Sequence, residues 1–550
     1  MRYTPGCMRQ NALRFGAAVL SAGLLELPFP IAGPMPAWRS VFAWIGLVPL
    51  LVAVLSFGDA PSRERPFRGA FLVSYFCGFL WYMGNCYWVR DTMMRYGDMP
   101  TMAPTLLLIG FSLVLGLYFG VFGLVLMLIR RATSSSAWAL AAAPAVWSAL
   151  ELAAARITSV PWDQLGYSQV DNLLVNQLAP WTGVYGISFL LVSVNVLLAG
   201  GVLLSSRLSR LRSAAAGAAV MAAALAGLGW HMPPAPVSAT AVLVQPNLDV
   251  GSDDAWAGPQ WNQHIDQFTR LAEATCKPYI DGIPQTDASA VQPVCSSPAA
   301  HPDLVVWPES PAPFAEEDPR VGVALAAVAH ATGSPLVIGS IGMDFAQQTQ
   351  QWNDYNSALI VAQDGAKVGR YDKIHLVPFG EFVPFKDLLF FARKLTGRVS
   401  EFTRGSERKV FRLNGHRYGV FICYEAVFAD EVRQFAALGA EVLVNISDDG
   451  WYGDTSAPWQ HLNMARMRAV ENRRWLLRDT NNGVTAAIDP YGRVVQSIPR
   501  HAVDALPAHY GFRDDVTFYS THGDVFAWAC AILTLGLVGW ALRAHFLAKL

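Results

Sequence analysis

Long apolar stretches separated by short polar loops dominate the first 240 residues of the chain. Two of them, 12–30 and 134–156, each contain one carboxylate, Glu26 and Glu151. Five others lack Asp, Glu, Lys and Arg and are long enough to cross roughly 30 Å of hydrocarbon. These five are 40–58, 69–89, 99–129, 172–206 and 213–248. Together with a last stretch at 525–542, the pattern predicts eight transmembrane helices.

The arginines between these stretches indicate an orientation. If the spans alternate, four arginine-containing segments fall on one side of the membrane: 2–14, 63–68, 130–131 and 207–212. Loops rich in Lys and Arg stay in the cytoplasm, so both termini are expected inside. No small-x-small cleavage site follows the first stretch cleanly, so this stretch is expected to remain as a helix.

Between about 240 and 515 the pattern changes to short β-branched runs that alternate with amphipathic segments. Strands are predicted at 240–246, 303–310, 335–341, 356–365, 409–413, 418–423 and 441–447, with a hairpin at 485–498. Helices are predicted at 261–275, 319–331, 428–438 and 459–478. Repeated β-then-α units favour an α/β sandwich with functional groups at strand ends. The predicted domains are therefore 1–235 with seven helices, an outer α/β domain at 236–515, and 516–550 with the eighth helix and a cytoplasmic end.

Composition excludes several classes of function. The chain is 53% hydrophobic and 15% charged, which is typical of a membrane protein, and its net charge of -1 argues against a nucleic-acid partner. No G-x-G-x-x-G or P-loop is present, so no nucleotide cofactor is expected. None of the seven cysteines has metal-ligand spacing, so no metal site is expected either. Cys276 and Cys295 lie in a Pro- and Ser-rich insertion, 274–302, and can pair in an oxidising compartment, leaving Cys423 as the free thiol of the outer domain.

Three ionisable side chains stand where a predicted strand gives way to a loop. They are Glu309 in "VVWPES", Lys373 in "GRYDKIHLVPFGEFVPF" and Cys423 in "GVFICYEAVF". Taken singly, each has an ordinary explanation: a solvated carboxylate, a surface ion pair and an inert core thiol. Taken together, they supply a base, an oxyanion-stabilising cation and a nucleophile, which are the groups that acyl transfer through a thiol requires.

These motifs carry a resemblance to a known family. The order Glu, Lys, Cys, with "RAVENRR" followed by "TNNG", resembles the nitrilase superfamily. The longer set "WPES", "DKIHLVPFGEFVPF", "CYE" and "NISDDGWYGDTSAPWQH" is similar to its membrane branch, the apolipoprotein N-acyltransferase family. In the helical part, "WSALE", "PWDQLGYSQ" and "QLAPWTGVYGISFL" resemble the same family.

The resemblance implies a role for each matching residue. Glu309 would be the general base, Lys373 the oxyanion-stabilising residue and Cys423 the nucleophile. Three residues would support them: Glu381 on the lysine side, and Tyr424 and Glu425 beside the nucleophile.

The resemblance also implies substrate-binding tryptophans near the mouth of the site. Trp451 matches one of them. A second is expected soon after the first strand, where the sequence offers both Trp256 and Trp261, of which Trp256 is preferred. The insertion holding Cys276 and Cys295 is a departure from the family pattern.

The implied reaction moves a fatty acyl chain from a membrane phospholipid, through a Cys423 thioester, to the α-amino group of the N-terminal diacylglyceryl-cysteine of an apolipoprotein. The enzyme would be a monomer in the bacterial inner membrane, with its α/β domain on the periplasmic side and no cofactor. The apolar segment 382–395 would be either a core helix or an arm lying in the bilayer surface.

Two alternatives remain open at this point. A membrane-tethered nitrilase-type amidase would use the same triad and release its thioester to water. A transporter with an inactive nitrilase-like domain would use Glu151 as an intramembrane acid, although pairing with the nearby Arg156 favours a structural role for Glu151.

Overall fold

A computed structural model of the chain describes residues 5–59, 65–96, 101–250, 259–273, 301–309, 314–347, 350–378, 380–382 and 402–547. The predictions for Trp256, for the pair Cys276 and Cys295, and for nearly all of the segment 382–395 lie outside these residues.

Helices make up the first part of the described chain and its C-terminal end. Those before the α/β domain are α1 (Pro5–Glu26), α2 (Val48–Leu55), α3 (Pro66–Asn85), α4 (Trp88–Tyr96), α5 (Met102–Thr133), α6 (Ser136–Ile157), α7 (Ala179–Thr182), α8 (Val184–Leu203) and α9 (Arg207–Ala226). Those of the α/β domain and beyond are α10 (Pro259–Glu273), α11 (Pro319–Thr332), α12 (Ala429–Ala437), α13 (Ala457–Asn472), α14 (Phe518–His522) and α15 (Val525–Leu547).

All eight predicted apolar stretches contain helix, but six of the described helical segments are long and apolar enough to cross a membrane. These are 37–58, 102–133, 136–157, 184–203, 207–229 and 525–545. The helices α1 and α3 are long, yet α1 contains two arginines and a glutamate, and α3 contains an arginine and many aromatic residues. The chain is therefore a multi-pass membrane protein. Among the described residues, length and apolar character support six membrane-spanning helices and not the eight that were predicted.

The strands of the α/β domain form two six-stranded sheets. The first has the order β12-β1-β2-β3-β4-β5 and the second the order β11-β10-β9-β8-β7-β6. The strands are β1 (Ala239–Gln245), β2 (Leu304–Val306), β3 (Leu336–Ala346), β4 (Gln351–Val361), β5 (Lys367–Asp372), β6 (Val410–Leu413), β7 (His416–Ile422), β8 (Val442–Ser447), β9 (Trp475–Thr480), β10 (Thr485–Ile488), β11 (Val494–Ile498) and β12 (Asp504–Tyr510). β2 pairs in parallel with β1 and β3, and β8 pairs in parallel with β7 and β9, which brings the carboxyl ends of these strands to one edge of each sheet.

The two sheets face each other and helices cover their outer faces, so the predicted α/β sandwich is confirmed. One apolar core, with Leu243, Ile360 and Val444 among its members, fills the space between the sheets. A second core packs α10 and α11 on the first sheet, where Trp307 and Phe268 are buried.

Three predicted element assignments in this domain were incomplete. The helix predicted at 459–478 ends at Asn472, because Arg473 takes a left-handed φ of 51° and the chain continues as β9. A strand end was expected at Lys373 but no bounds were predicted for β5, and β12 was not predicted at all. The first is polar, and the second contains Pro507, which an edge strand such as β12 tolerates.

The helix α13 connects the two halves of the molecule. One face packs on the second sheet through Leu462 and Ala465, and the other packs among the membrane helices through Met464 and Met467. At its start, the Gln460 side chain donates from Nε2 to Asn85 Oδ1 at 2.7 Å and accepts from Trp162 Nε1 at 2.8 Å. The loop around Trp162 therefore lies against the α/β domain.

The expected pairing of Glu151 with Arg156 is wrong. Residues five apart lie on different faces of a helix, whereas neighbours are three or four apart. Glu151 Oε1 instead accepts hydrogen bonds from Trp147 Nε1 at 2.9 Å and from the Leu165 N–H at 2.8 Å.

Candidate active site

Three strand ends bring Glu309, Lys373 and Cys423 to one place between the two sheets. Glu309 follows β2 after Pro308, which has no N–H to continue a strand ladder. Lys373 follows β5, and Cys423 follows β7. All three side chains are buried.

Lys373 lies between two carboxylates. Its Nζ is 2.8 Å from Glu309 Oε1 and 2.9 Å from Glu381 Oε1. The other oxygen of Glu381 accepts the Val377 N–H at 2.7 Å, so its loop holds the carboxylate in place. The ammonium is thus fixed at both sides, as expected of a preorganised electrostatic group.

Two residues that the sequence did not single out complete the binding of Glu309. Asn356 Nδ2 donates to Glu309 Oε1 at 2.7 Å and to Glu381 Oε1 at 2.6 Å. The Asp448 N–H donates to Glu309 Oε2 at 2.9 Å. Both oxygens of the predicted base are therefore oriented by neighbours.

The charges of the site follow from burial and these contacts. Burial opposes charge on Glu309, but Lys373 and the hydrogen bonds lower its pKa below the ordinary value of 4.5. Burial also opposes charge on Lys373, yet Glu309 and then Glu381 raise its pKa well above the ordinary value of 10.5. Burial and the charge of Glu309 raise the pKa of the Cys423 thiol, so the resting site holds a thiol beside an ionised base.

Cys423 stands on a sharp turn between β7 and a short 3-10 helix, Cys423–Val427, that begins with it. Its φ of 48° is a left-handed conformation that non-glycine residues seldom adopt, and such strain is concentrated at functional sites. Tyr424 lies in the first turn of this helix, where backbone N–H groups have no partner within the helix, so its N–H can serve as a second oxyanion donor.

Glu425 ties the turn of the nucleophile to the loop of the lysine. Its buried carboxylate accepts the Ile422 N–H at 2.7 Å and the Ile374 N–H at 2.7 Å. The Tyr371 hydroxyl donates to both of its oxygens, at 2.9 and 3.0 Å. The supporting role expected of Glu425 thus has a geometric basis.

Behind Cys423 lies a buried polar network. His461 Nε2 is 3.1 Å from the Cys423 carbonyl oxygen, and its Nδ1 is 3.0 Å from Asp449 Oδ1. Arg478 Nη2 is 2.8 Å from Asp449 Oδ2 and 3.1 Å from His461 Nδ1. Burial and then Arg478 lower the pKa of His461, so the ring is neutral and its Nε2–H donates to the carbonyl of the nucleophile.

The remaining predicted residues lie around the mouth or in the core. Tyr424 points its hydroxyl at the Ser159 carbonyl of the helical domain, 3.3 Å away. Trp451 is 44% exposed and contacts the Tyr96 ring. Trp261 is buried in the core of α10 under the Arg320 guanidinium, away from any opening.

Aromatic rings of both halves meet at the His461 ring, behind Cys423. Trp162 lies over the His461 ring with centroids 6.1 Å apart, and Trp88 lies 4.7 Å from Trp162 and 5.3 Å from Tyr452. The helical domain therefore supplies one wall of the site. Among the described residues, no group of His, Cys, Asp and Glu is arranged to hold a metal ion.

The sequence matches two family models, one for each half of the molecule. The apolipoprotein N-acyltransferase N-terminal domain matches residues 21–197, and the carbon-nitrogen hydrolase domain matches residues 289–505. Apolipoprotein N-acyltransferase of Geobacter metallireducens is 33% identical over 93% of this chain and 92% of its own length. The chain belongs to the apolipoprotein N-acyltransferase family. The enzyme of that name from Pseudomonas putida is 32% identical over 92% of this chain and 93% of its own length.

Among solved structures, Saccharomyces cerevisiae Nit3, a member of the nitrilase superfamily, is 18% identical. It covers 50% of this chain and 91% of its own, with a TM-score of 0.35.

Within this apolipoprotein N-acyltransferase fold, sequence reasoning brought Glu309, Lys373, Cys423 and Glu381 to one site, and the structure places them together. It missed Asn356, Asp448 and the His461 network. Polar residues inside apolar strand and helix patterns, such as Asn356 in "DYNSALIV", were the available signal for them.

Proposed function

We propose that the chain transfers a fatty acyl group from a membrane phospholipid to Cys423 and then to the α-amino group of the N-terminal diacylglyceryl-cysteine of apolipoproteins. The observation that carries the proposal is the convergence of Glu309, Lys373 and Cys423 at the end of the α/β domain that faces the membrane helices. The names of its relatives supply the acceptor class.

In the first step Glu309 takes the thiol proton as the sulfur attacks the ester carbonyl of the phospholipid. The carbonyl oxygen becomes an oxyanion beside Lys373 Nζ and the Tyr424 N–H. The tetrahedral intermediate collapses, the C–O bond breaks, and the protonated Glu309 gives its proton to the departing lysophospholipid oxygen. Cys423 is left as a thioester.

In the second step the neutral α-amine of the apolipoprotein attacks the thioester carbonyl at the same place. Glu309 takes a proton from the attacking nitrogen and returns it to the sulfur as the C–S bond breaks. The product is an amide, and the thiol is restored for the next phospholipid.

The contact with the membrane helices supports transfer over hydrolysis. A nitrilase-type amidase would need water at the thioester, whereas here the rings of Trp88, Trp162 and Tyr452 pack together where the α/β domain meets the helical domain. Excluding water protects an acyl-enzyme until the amine arrives. Both substrates are lipids, which accounts for joining the α/β domain to a multi-pass helical domain.

The proposed location is the bacterial inner membrane, with the α/β domain on the periplasmic side. The arginine-rich segments 63–68 and 207–212 support it, because α/β-domain contacts come from the opposite side of the helical domain, at Asn85 and Ser159. A cysteine placed at exposed Val323 should react with an impermeant reagent on cells with a permeabilised outer membrane. One placed at 63–68 should not, and its labelling would reverse the orientation.

The decisive experiment is mass spectrometry of the purified protein after exposure to phospholipid. An acyl adduct should appear on Cys423 and disappear when a diacylglyceryl-cysteine peptide is added, with the acyl group recovered on its amine. Cys423→Ala should form no adduct, with Cys530→Ala as the matched thiol control. Transfer by Cys423→Ala at a sizeable fraction of the parent rate would refute the mechanism, and rapid loss of the adduct to water without acceptor would favour the amidase.

A further inference from the structure

A partly open crevice lies in the helical domain beneath the loop Val160–Leu165. Its cavity volume is about 40 Å³. Its lining includes Trp81, Tyr82, Trp147, Glu151, Trp162 and Asp163. This volume is far too small for an acyl chain, but it suffices for a small polar group, since one water requires a cavity of roughly 10–15 Å³.

Asp163 is the polar side chain in the crevice that most needs a partner. Its residue is 1% exposed, and neither carboxylate oxygen accepts a hydrogen bond from any described residue. The Asn85 side chain lies close enough to lower the pKa of Asp163 in part, although its Nδ2 makes no hydrogen bond of ordinary geometry within the described chain. A buried carboxylate without a partner is costly, so this one is poised for a ligand that brings donors or positive charge.

Other acidic groups surround the crevice, and burial raises the pKa of Asp163 well above its ordinary value, so the site by itself favours the neutral acid and a bound cation would favour the ionised one. Glu151 Oε2 has no hydrogen-bond donor among the described residues, and Glu26 lies close enough to raise, after burial, the pKa of Asp163. The helices α1, α3 and α6 all end here, and helix C-termini carry partial negative charge. The Arg39 guanidinium offsets part of the charge of Glu26, but it donates to the carbonyls of Leu27 and Phe29. A cation at Asp163 would remove the cost of burying its charge.

Aromatic faces surround the same space. Trp81, Tyr82, Trp147 and Trp162 line it, and rings of this kind attract ammonium groups through their quadrupoles. Carboxylates and aromatic faces together select an organic cation over an anion or a neutral apolar group.

The crevice is also connected to the active site. Trp162, which lines it, contacts the His461 ring that donates to the Cys423 carbonyl. Val160 lies one residue from Ser159, whose carbonyl accepts the Tyr424 hydroxyl. The crevice and the active site therefore share Trp162 and the Ser159–Val160 segment as a common wall.

We propose that Asp163 and the surrounding crevice bind the primary ammonium group of a substrate of the acyl transfer. This inference rests on the proposed function. The ammonium comes either from the head group of an ethanolamine phospholipid donor or from the protonated α-amine of the apolipoprotein as it docks. In either case the site selects substrates by charge, apart from the groups that carry out the chemistry.

Asp163→Asn tests the proposal, because it keeps the shape and removes the charge. Asp171→Asn is the matched control, since Asp171 lies in the same segment outside the crevice and pairs with Arg466. Two readouts separate the sources. The first is the ratio of Cys423 acylation rates with ethanolamine and glycerol phospholipids of identical acyl chains. The second is the apparent KM for a diacylglyceryl-cysteine peptide with enzyme already acylated.

If the donor supplies the ammonium, Asp163→Asn should lower the rate ratio about tenfold, as expected for loss of one charge-assisted contact. If the acceptor supplies it, the ratio should stay as in the parent and the KM should rise about tenfold. The Asp171→Asn variant should match the parent in both. An unchanged ratio with an unchanged KM would overturn the proposal.

A measurement on the parent enzyme covers the case in which Asp163→Asn does not fold. Ethylammonium chloride should slow the half-reaction that uses the crevice, and equal concentrations of sodium chloride should not. Equal effects of the two salts on both half-reactions would overturn the proposal. Absence of any Cys423 adduct in the parent with every phospholipid would instead reject the proposed function itself.

Discussion

Glu309 can serve as a base because Lys373, Asn356 and the Asp448 N–H all favour its ionised form. This arrangement depends on three strands that are distant in sequence. The position of Glu309 was predictable, since "WPES" ends a buried strand. The contact of Asn356 with Glu309 was not predictable, because an asparagine in the middle of a strand belongs to no recognisable motif. The direction of its side chain depends on how β4 pairs with β3 and β5.

The charge state of Glu309 gives a pH prediction. Its pKa lies below 4.5, so the base stays ionised as pH falls towards that value. The rate of Cys423 acylation should therefore show no loss assigned to this carboxylate between pH 7 and about pH 5. Quenched single-turnover mass spectrometry would measure it. A loss centred near pH 6.5 in the parent, absent from Glu309→Gln, would show that the carboxylate titrates much higher.

His461 is predicted to position the nucleophile without touching substrate. Replacing it by Ala removes the donor to the Cys423 carbonyl, and the left-handed turn loses a constraint. The kcat should fall about tenfold or more with little change in KM for phospholipid, since misplacing a nucleophile affects the reaction more than binding. His461→Gln, which keeps an N–H donor, should recover part of the loss. His501→Ala at an exposed ion pair is the control, and an equal loss in both variants would contradict the positioning role.

At the scale of elements, the strands and turns that were predicted correctly are those with a clear local pattern of residues. The strands ending at Glu309 and Cys423 are continuous apolar runs, and the hairpin β10-β11 has a clear turn. The helix α13 was predicted six residues too long, because apolar residues continue through "WLL" into β9 and only the backbone conformation of Arg473 separates the two. The bounds of β5 were not predicted, because its side chains are mostly polar and it becomes a strand through pairing with β4.

Glu425 joins two elements, so its replacement should affect both. In Glu425→Gln one carboxylate oxygen becomes an amide NH₂ that faces backbone N–H donors. The unfolding free energy should fall by about 1–3 kcal/mol, and acylation should slow because the loop of Lys373 and the turn of Cys423 lose their common acceptor. Thermal unfolding and adduct formation would measure the two effects. Glu407→Gln, at an exposed site, should leave both unchanged, and a stable, fully active Glu425→Gln would rule out the joining role.

At the scale of the whole molecule, the α/β domain and the membrane helices share one core through α13. The lengths and spacing of the apolar stretches predict that a helical domain and an α/β domain both exist, but they do not predict the surface through which the two domains contact each other. That surface depends on single polar contacts such as Gln460 with Asn85 and Trp162, which only the folded chain brings together.

Arg156 offers a test of this union. Its Nη2 is 2.9 Å from Asp430 of α12 and 2.5 Å from Asp524, just before α15. Arg156→Met should leave the buried Asp524 without its cation and lower the unfolding free energy by about 1–3 kcal/mol. This loss is smaller than that expected for a fully buried ion pair, because the guanidinium is partly exposed to solvent. Adding Asp524→Asn should recover part of the loss. Unfolding of the detergent-solubilised variants would measure it, and additive losses in the double variant would mean that the pair is not coupled.

The pairing of β1 with β12 also governs how the protein can be made. These strands lie side by side in the first sheet, from Ala239 opposite Tyr510 to Gln245 opposite Asp504, although about 260 residues separate them. A ribosome adds roughly 5–20 residues per second, so β1 waits about 13 to 50 s for its neighbour. Throughout that time one of its edges stays open. On the proposed topology the α/β domain must cross the membrane and stay free of aggregation before β1 and β12 can pair, so we expect its maturation to depend on the export and chaperone machinery that receives it.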